Sequence, residues 1–359
     1  MSKKHYIIPI FVPHEGCIHN CVFCNQNSIT GISEVVDDKY TKDTIESYLK
    51  TINKTCETIV EVSFFGGSFT AIDINKQKRL LKVAKEYKEK GLIDFIRLST
   101  RPDYIDDVIL TNLKDHKVDI IELGVQSLDE EVLKKSARGH SEEDVRRASK
   151  LIHKYGFTLG HQVMLGLPGD SFEKDIKTAI KVSDMKPKIC RIYPALVIKN
   201  TPMEKMYNEG TYKPYTLNEA LEISKNLYNI FTKNNIEVIR IGLQPTKEIN
   251  EGGELVAGPF HPAFRELVEG KIVNERILNY LRNKDYKKVE IKINPKTISK
   301  LYSNKKEFFY DTLNKLKLNN IKVIQNSSIG EELIGIKYDE IYKILEIHKS
   351  DRNSIKKDI

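Results

Sequence analysis

From residue 6 to residue 197, apolar runs of strand length alternate with amphipathic helical stretches, and the pattern repeats six times. The runs fall at 6–12, 59–65, 95–100, 118–125, 158–165 and 189–197. Helical patterns lie at 38–52, 75–90, 104–115, 129–136, 141–154 and 171–184. Strands separated by helices at this interval predict βα units and a parallel sheet. Right-handed crossovers curl six such units into an incomplete barrel. The expected fold class is therefore α/β, a partial (β/α)6 TIM-like barrel with a small α+β C-terminal extension. A further helix at 216–234 and a strand at 236–243 are expected beside the barrel. From about residue 270 two or three short strands and two helices are expected.

Charge marks the far end of the chain. Residues 1–270 carry 38 Lys+Arg against 38 Asp+Glu, so the whole excess of +8 belongs to residues 271–359, with 20 against 12. This predicts three units, a barrel at 1–200, an extension and barrel cap at 201–270, and a basic module at 271–359. Such a module can meet phosphate backbones. It is equally the lysine-rich surface expected of a chain rich in Asn, Ile and Lys. No apolar run approaches the roughly 18 residues that cross a bilayer. The start, Met1-Ser2-Lys3-Lys4-His5, lacks a secretory hydrophobic region. A cytoplasmic protein without a membrane partner is expected.

The chemistry begins with Cys17-x3-Cys21-x2-Cys24, which comes directly after the first strand. In a chain of cytosolic character, clustered cysteines read as metal chemistry rather than disulfides. A cubane of four irons needs four ligands, so three thiolates from one loop leave one iron open. The alternative is a structural zinc ion completed by His14 or His19. Cys56 and Cys190 lie in apolar runs and are expected to be buried packing residues.

Parallel strands covered on both faces should be nearly all apolar, so their polar residues are informative. Period two places Glu122, Gly124 and Gln126 on one face, Arg97, Ser99 and Arg101 on another, and Glu61 with Ser63 on a third. Arg191 shares a face with Tyr193, and Arg240 shares one with Gln244. Buried groups of this kind pair with each other or meet a ligand. An internal lattice, Glu122 with Arg191 for instance, accounts for part of the set. Those near strand carboxyl ends lie where a barrel places its active site. Gly66-Gly67 and Gly166-Leu-Pro-Gly169 also come at strand ends, where glycine lets the backbone approach a ligand.

Together these residues resemble the radical S-adenosylmethionine (SAM) superfamily. The cysteine loop has that superfamily's spacing, with the aromatic Phe23 in its usual place. The resemblance implies a [4Fe–4S] cluster on Cys17, Cys21 and Cys24, with S-adenosyl-L-methionine on the open iron and an external electron donor. It implies that Gly66, Gly67 and Ser68 grip the methionyl amino group. Ser99 and Gln126 would meet the methionyl carboxylate and ribose. Arg138, in Arg138-Gly-His140, would be another cofactor contact, and Leu165-Gly166 would meet the adenine.

More narrowly, the chain is similar to the radical domain of the Elongator catalytic-subunit family. The stretches are Phe64-Phe-Gly-Gly-Ser-Phe-Thr70, Ser99-Thr-Arg-Pro102, Glu122-Leu-Gly-Val-Gln-Ser127, Arg138-Gly-His140, Gly166-Leu-Pro-Gly169 and Arg191-Ile-Tyr-Pro194. Ile198-Lys-Asn-Thr-Pro202 through Gly210-x-Tyr212 resembles that family's extension. The resemblance covers residues 5–268. Residues 269–359 lack a glycine-rich acetyl-CoA loop, so acetyl transfer is not implied. Short relatives of this kind include queuine lyases, which free the prequeuosine base from queuine, and that lyase reaction on queuine or a related deazaguanine is the leading expectation. A tRNA-modifying radical enzyme is the alternative, and a zinc-stabilised RNA-binding module without catalysis a third. Candidate substrate contacts are Glu61, Glu122, His161 or Gln162, Arg191, Tyr193 and Arg240. Gly258-Pro-Phe-His-Pro-Ala-Phe264 is expected to cap the barrel mouth, with His261 near substrate.

Overall fold

A computed structural model of the chain describes residues 5–12, 17–25, 35–243, 253–318 and 321–348. Seven parallel strands form one curled half-barrel in the order β1 (His5–Val12), β2 (Ile59–Gly66), β3 (Phe95–Thr100), β4 (Ile120–Gln126), β5 (Thr158–Leu165), β6 (Ile189–Pro194) and β8 (Glu237–Ile241). Six were expected in the barrel, and the seventh is the late strand expected beside it. β7 (Val197–Ile198) instead pairs antiparallel with β9 (Leu255–Ala257), so the sixth apolar run breaks after Pro194.

The helices start where short polar side chains can cap them. Asp37 accepts from Tyr40 N to open α1 (Asp38–Leu49), and Asp73 accepts from Asn75 N and Lys76 N to open α2 (Ile74–Glu89). Asp106 caps α3 (Asp107–Asp115), and Asp129 caps α4 (Glu130–Lys135). Ser141 and Asp144 form a capping box for α5 (Glu142–Tyr155), and Ser171 caps α6 (Phe172–Asp184). α7 (Pro202–Asn208) and α8 (Leu217–Lys233) come after the sixth strand. The strands deliver Ile8, Ile10, Val60, Val62, Ile96, Leu98, Ile121, Leu123, Leu159 and Ile192, all fully or nearly fully buried, to a single core.

Beyond β9, α9 (Phe264–Leu281) runs across residue 270, where the charge balance changes. It packs against α8 on one side and against α10 (Ile298–Leu301) and α11 (Glu307–Lys315) on the other. The four-stranded sheet beyond it has the order β11 (Ile321–Gln325), β10 (Val289–Ile293), β12 (Leu333–Tyr338), β13 (Ile341–Glu346). That is more than the two or three strands expected. β13 is an edge strand exposing Ile341, Tyr342 and Ile344, so it lacks the apolar–polar alternation that marks a strand. Cys190 is buried as expected, but Cys56 is exposed. It sits in the turn closed by Thr58 N donating to Thr55 O, before β2 begins.

Candidate active site

The cysteine loop leaves β1 and is fastened at Val22. Val22 N donates to Ser136 O at 3.1 Å, just past α4, and Val22 O accepts from Met203 N of α7 at 2.9 Å. The Val22 side chain is buried with Val132, Leu167, Met203 and Tyr212, and Phe23 packs against the same group. Cys24 N donates to Cys21 O at 3.0 Å, which turns the loop back on itself. Cys17, Cys21 and Cys24 thereby line one cavity of about 240 Å³ at the carboxyl ends of the strands.

Two guanidinium groups stand on Cys21. Arg138 Nη1 lies 3.5 Å and Arg101 Nη1 3.7 Å from its sulfur. Arg138 Nη2 donates to Gly124 O at 2.6 Å, and a Cβ on Gly124 would stand 2.8 Å from that nitrogen, so only glycine leaves room for it. Burial pushes the Arg138 guanidinium below its ordinary pKa, and the neighbouring Cys21 opposes the shift. Arg101 Nε pairs with Asp103 at 2.9 Å, and His19 Nε2 holds the same carboxylate at 3.0 Å. His14 lies outside the described residues. The sequence groups Arg101 with Arg97 and Ser99, and it lies just past the carboxyl end of β3, but it was not among the expected site residues.

The cavity gathers most of the residues expected at a cofactor. Phe23, Gly66, Gly67, Ser68, Ser99, Gln126 and Arg138 all line it. Gly67 N donates to Val12 O at 3.0 Å, tying the glycine turn to the strand that delivers the cysteines. Gln126 adopts φ +64° at the register shift that ends β4. Leu165 and Gly166 are not among the lining residues. Gly166 sits under the Tyr215 ring, and its carbonyl accepts from Tyr212 OH at 2.7 Å.

The candidate substrate contacts separate into layers. Deepest is a buried ion-pair lattice. Arg97 bridges Glu61 (Nε to Oε1, 2.8 Å) and Glu122 (Nη1 to Oε1, 2.5 Å), and Arg191 Nε donates to Glu122 Oε2 at 2.6 Å. Burial alone would raise the Glu122 carboxyl, but Arg191 and Arg97 outweigh it and hold it below the usual range. Gly160, beside Glu122 in register, makes this possible, because a Cβ there would stand 2.8 Å from Glu122 Cγ. Above this layer Gln162, Ser99 and Tyr193 face the cavity. Gln162 Nε2 donates to Ser99 Oγ at 3.2 Å and to Glu122 Oε2 at 2.8 Å, and Arg191 Nη1 donates to Tyr193 OH at 3.4 Å.

Two candidates lie elsewhere. His161 turns to the helix layer, its Nε2 2.9 Å from Ser149 Oγ of α5, and burial lowers its pKa to about 3. Arg240 lines a separate cleft with Arg265, Glu269 and Lys300. Gln244 is outside the described residues. His261 lies in a small hollow with Pro194, Leu196 and Leu243, which also border the main cavity, so the 258–264 stretch does sit beside its mouth. The apolar lining of Met164, Pro194, Leu196, Ile198 and Leu243 carried no signal of its own in the sequence.

The residues present fit a charged inorganic group and a polar cofactor. Arg138 Nε and Gln126 Oε1 are buried at the cavity without a partner, beside three sulfurs that bind iron as thiolates. The sequence profile of the Radical SAM superfamily matches residues 11–181, and that of the Radical SAM C-terminal domain matches residues 187–274. The chain belongs to the radical SAM superfamily. Radical SAM enzymes carry a [4Fe–4S] cluster and S-adenosylmethionine, which sets the zinc alternative aside.

Similar radical SAM proteins are of Elongator type. A tRNA uridine(34) acetyltransferase of Methanocaldococcus infernus is 32% identical over 194 residues, 48% of this chain and 36% of that protein. An uncharacterized protein of Methanocaldococcus jannaschii is 31% identical over 237 residues, 62% of this chain and 70% of the other. Among solved structures, the archaeal Methanocaldococcus infernus Elp3 superposes with a TM-score of 0.59 at 26% identity, covering 75% of this chain and 62% of that one. The chain thus spans little more than a third of the acetyltransferase it resembles. No helix among the described residues is long and apolar enough to cross a membrane.

Proposed function

We propose that this radical SAM enzyme acts on a nucleobase carried by tRNA, in the cytoplasm, with an electron from an external donor. The observation that carries the reading is the uncharged polar edge that Gln162 and Tyr193 add to the cavity lined by the three cysteines. When bound, the cluster and S-adenosylmethionine supply the one-electron chemistry that removes hydrogen from an unactivated carbon. The chain's own residues hold three irons as thiolates and offset their charge with Arg101 and Arg138. The lining of Met164, Leu196, Ile198 and Leu243 excludes water. Gln162 and Tyr193 offer an amide and a hydroxyl to the edge of a heterocycle, and the lattice beneath fixes their positions.

The archaeal relatives named for tRNA uridine chemistry support tRNA as the carrier. Acetyl transfer is not part of the proposal. A base extruded from RNA and a free base present the same edge, so queuine or a related deazaguanine remains the second substrate, with the prequeuosine base as product.

Anaerobic incubation of the reconstituted protein with S-adenosylmethionine, a reductant and either tRNA or queuine tests both. Formation of 5′-deoxyadenosine that depends on tRNA and modifies it supports the proposal. Formation that depends on queuine, with release of the prequeuosine base, replaces it with the lyase reading. Silence with both substrates in a protein that holds its cluster overturns the nucleobase assignment.

A further inference from the structure

A buried guanidinium requires a counter-charge. Arg138 is only 6% exposed, yet among the described residues it pairs with no carboxylate. One of its nitrogens bonds a carbonyl, one reaches the Cys21 sulfur, and Nε has no partner. Arg101, 3% exposed, approaches the same sulfur but is partly neutralised, since Asp103 pairs with it and is held in turn by His19. Arg101 Nη2 also donates to Arg138 O at 2.6 Å, so the two cations are locked side by side. One sulfur therefore has two cations and one tempering anion grouped around it.

We propose that Arg138, Arg101 and Asp103 set the reduction potential of the cluster, as positioning residues acting through Cys21. Reduction adds one negative charge to the cluster, and a cation a few ångströms away in a dry site stabilises the reduced form more than the oxidised one. Arg138 and Arg101 raise the potential, bringing it within reach of the external donor, and Asp103 limits how far. This rests on the family's cluster occupying the three cysteines. It differs from a contact to S-adenosylmethionine because it acts with that cofactor absent.

The test is a redox titration of the reconstituted full chain, monitored by electron paramagnetic resonance without S-adenosylmethionine. Arg138→Gln lowers the potential by at least a tenfold change in the reduced-to-oxidised ratio, about 59 mV for a one-electron couple. Arg101→Gln lowers it less, because Asp103 already offsets that charge. Asp103→Asn raises it, and Arg138→Lys stays near the parent value. A loosened, wetter loop would move every variant upward, so opposite signs separate charge from structure. Equal potentials in variants with full iron content overturn the inference, as does a rise in Arg138→Gln. Should Arg138→Gln lose its iron, Arg101→Gln measured against Asp103→Asn decides the sign. A parent protein that binds no cluster defeats the cofactor placement itself, whereas flat potentials on a loaded parent defeat only this proposal.

Discussion

Gln162 Nε2 donates to Glu122 Oε2 at 2.8 Å, so the amide facing the cavity is aimed by a carboxylate beneath it. The same oxygen accepts from Arg191 Nε at 2.6 Å, so this one oxygen serves two groups of opposite purpose. One is structural and the other borders the chemistry.

Glu122→Gln tests the structural side. It leaves the Arg191 guanidinium buried without a counter-charge, which costs about 3–5 kcal/mol of stability. Equilibrium urea unfolding should show this loss. A variant as stable as the parent would mean that Arg191 finds another partner.

Gly160→Ala forces a Cβ to 2.8 Å from Glu122 Cγ and 2.9 Å from Ile189 Cγ1. Both neighbours are locked, one by ion pairs and the other by packing, so the strain is about 1–3 kcal/mol. A lowered melting temperature checks it.

The adjacent residues His161 and Gln162 should behave oppositely. Gln162→Leu removes a hydrogen bond of about 1.5 kcal/mol at the substrate edge, close to tenfold in kcat/KM. His161→Asn alters a side chain bonded to Ser149 in the helix layer, and leaves kcat/KM of the folded protein unchanged. Steady-state kinetics with the substrate of the proposed reaction distinguishes them.

Asp175 and Asp170 are neighbouring carboxyls behind Gly166, with Tyr215 OH donating to Asp175 at 3.0 Å. Burial, then the adjacent Asp170, holds the Asp175 carboxyl well above its ordinary value of 3.8. The native state thus binds more protons than the unfolded chain above that pH, so the pair's contribution to stability falls as pH rises from 3.8 toward the native value. Asp175→Asn keeps the hydrogen bonds without the titration. Its melting temperature relative to the parent should therefore increase between pH 5 and pH 8, read by calorimetry.

Cys24→Ala removes one of three thiolates and abolishes 5′-deoxyadenosine formation. Chromatography after anaerobic reconstitution reports it, and the iron content falls below about four per chain.

The barrel was legible because apolar strand-length runs alternate with amphipathic helical stretches, and the cysteine spacing survives any uncertainty in element ends. Depth was not legible. Of the inward residues Glu61, Glu122, Gln162 and Tyr193, period two picked out all but Gln162, and it says nothing of height along the barrel. The first two are the third residues of β2 and β4, and the last two are the fifth of β5 and β6. That difference separates a sealed ion-pair floor from a cavity wall. The choice between His161 and Gln162 turned on strand phase, which needs a neighbour's register to fix. For Arg240, the register shift between β6 and β8 at Cys190 and Arg191 interrupts the count on which its placement rested. Arg101 was singled out on a strand face but not assigned to the site, because its role depends on Cys21, far away in sequence and adjacent only after folding.

Val22 has one tether just past α4 and a second on α7, and the second arrives late. Ribosomes make the three thiols long before they make Met203. During synthesis the loop waits half-anchored while the later strands emerge. Both tethers on the cysteine loop are therefore in place only once the chain has been made as far as α7.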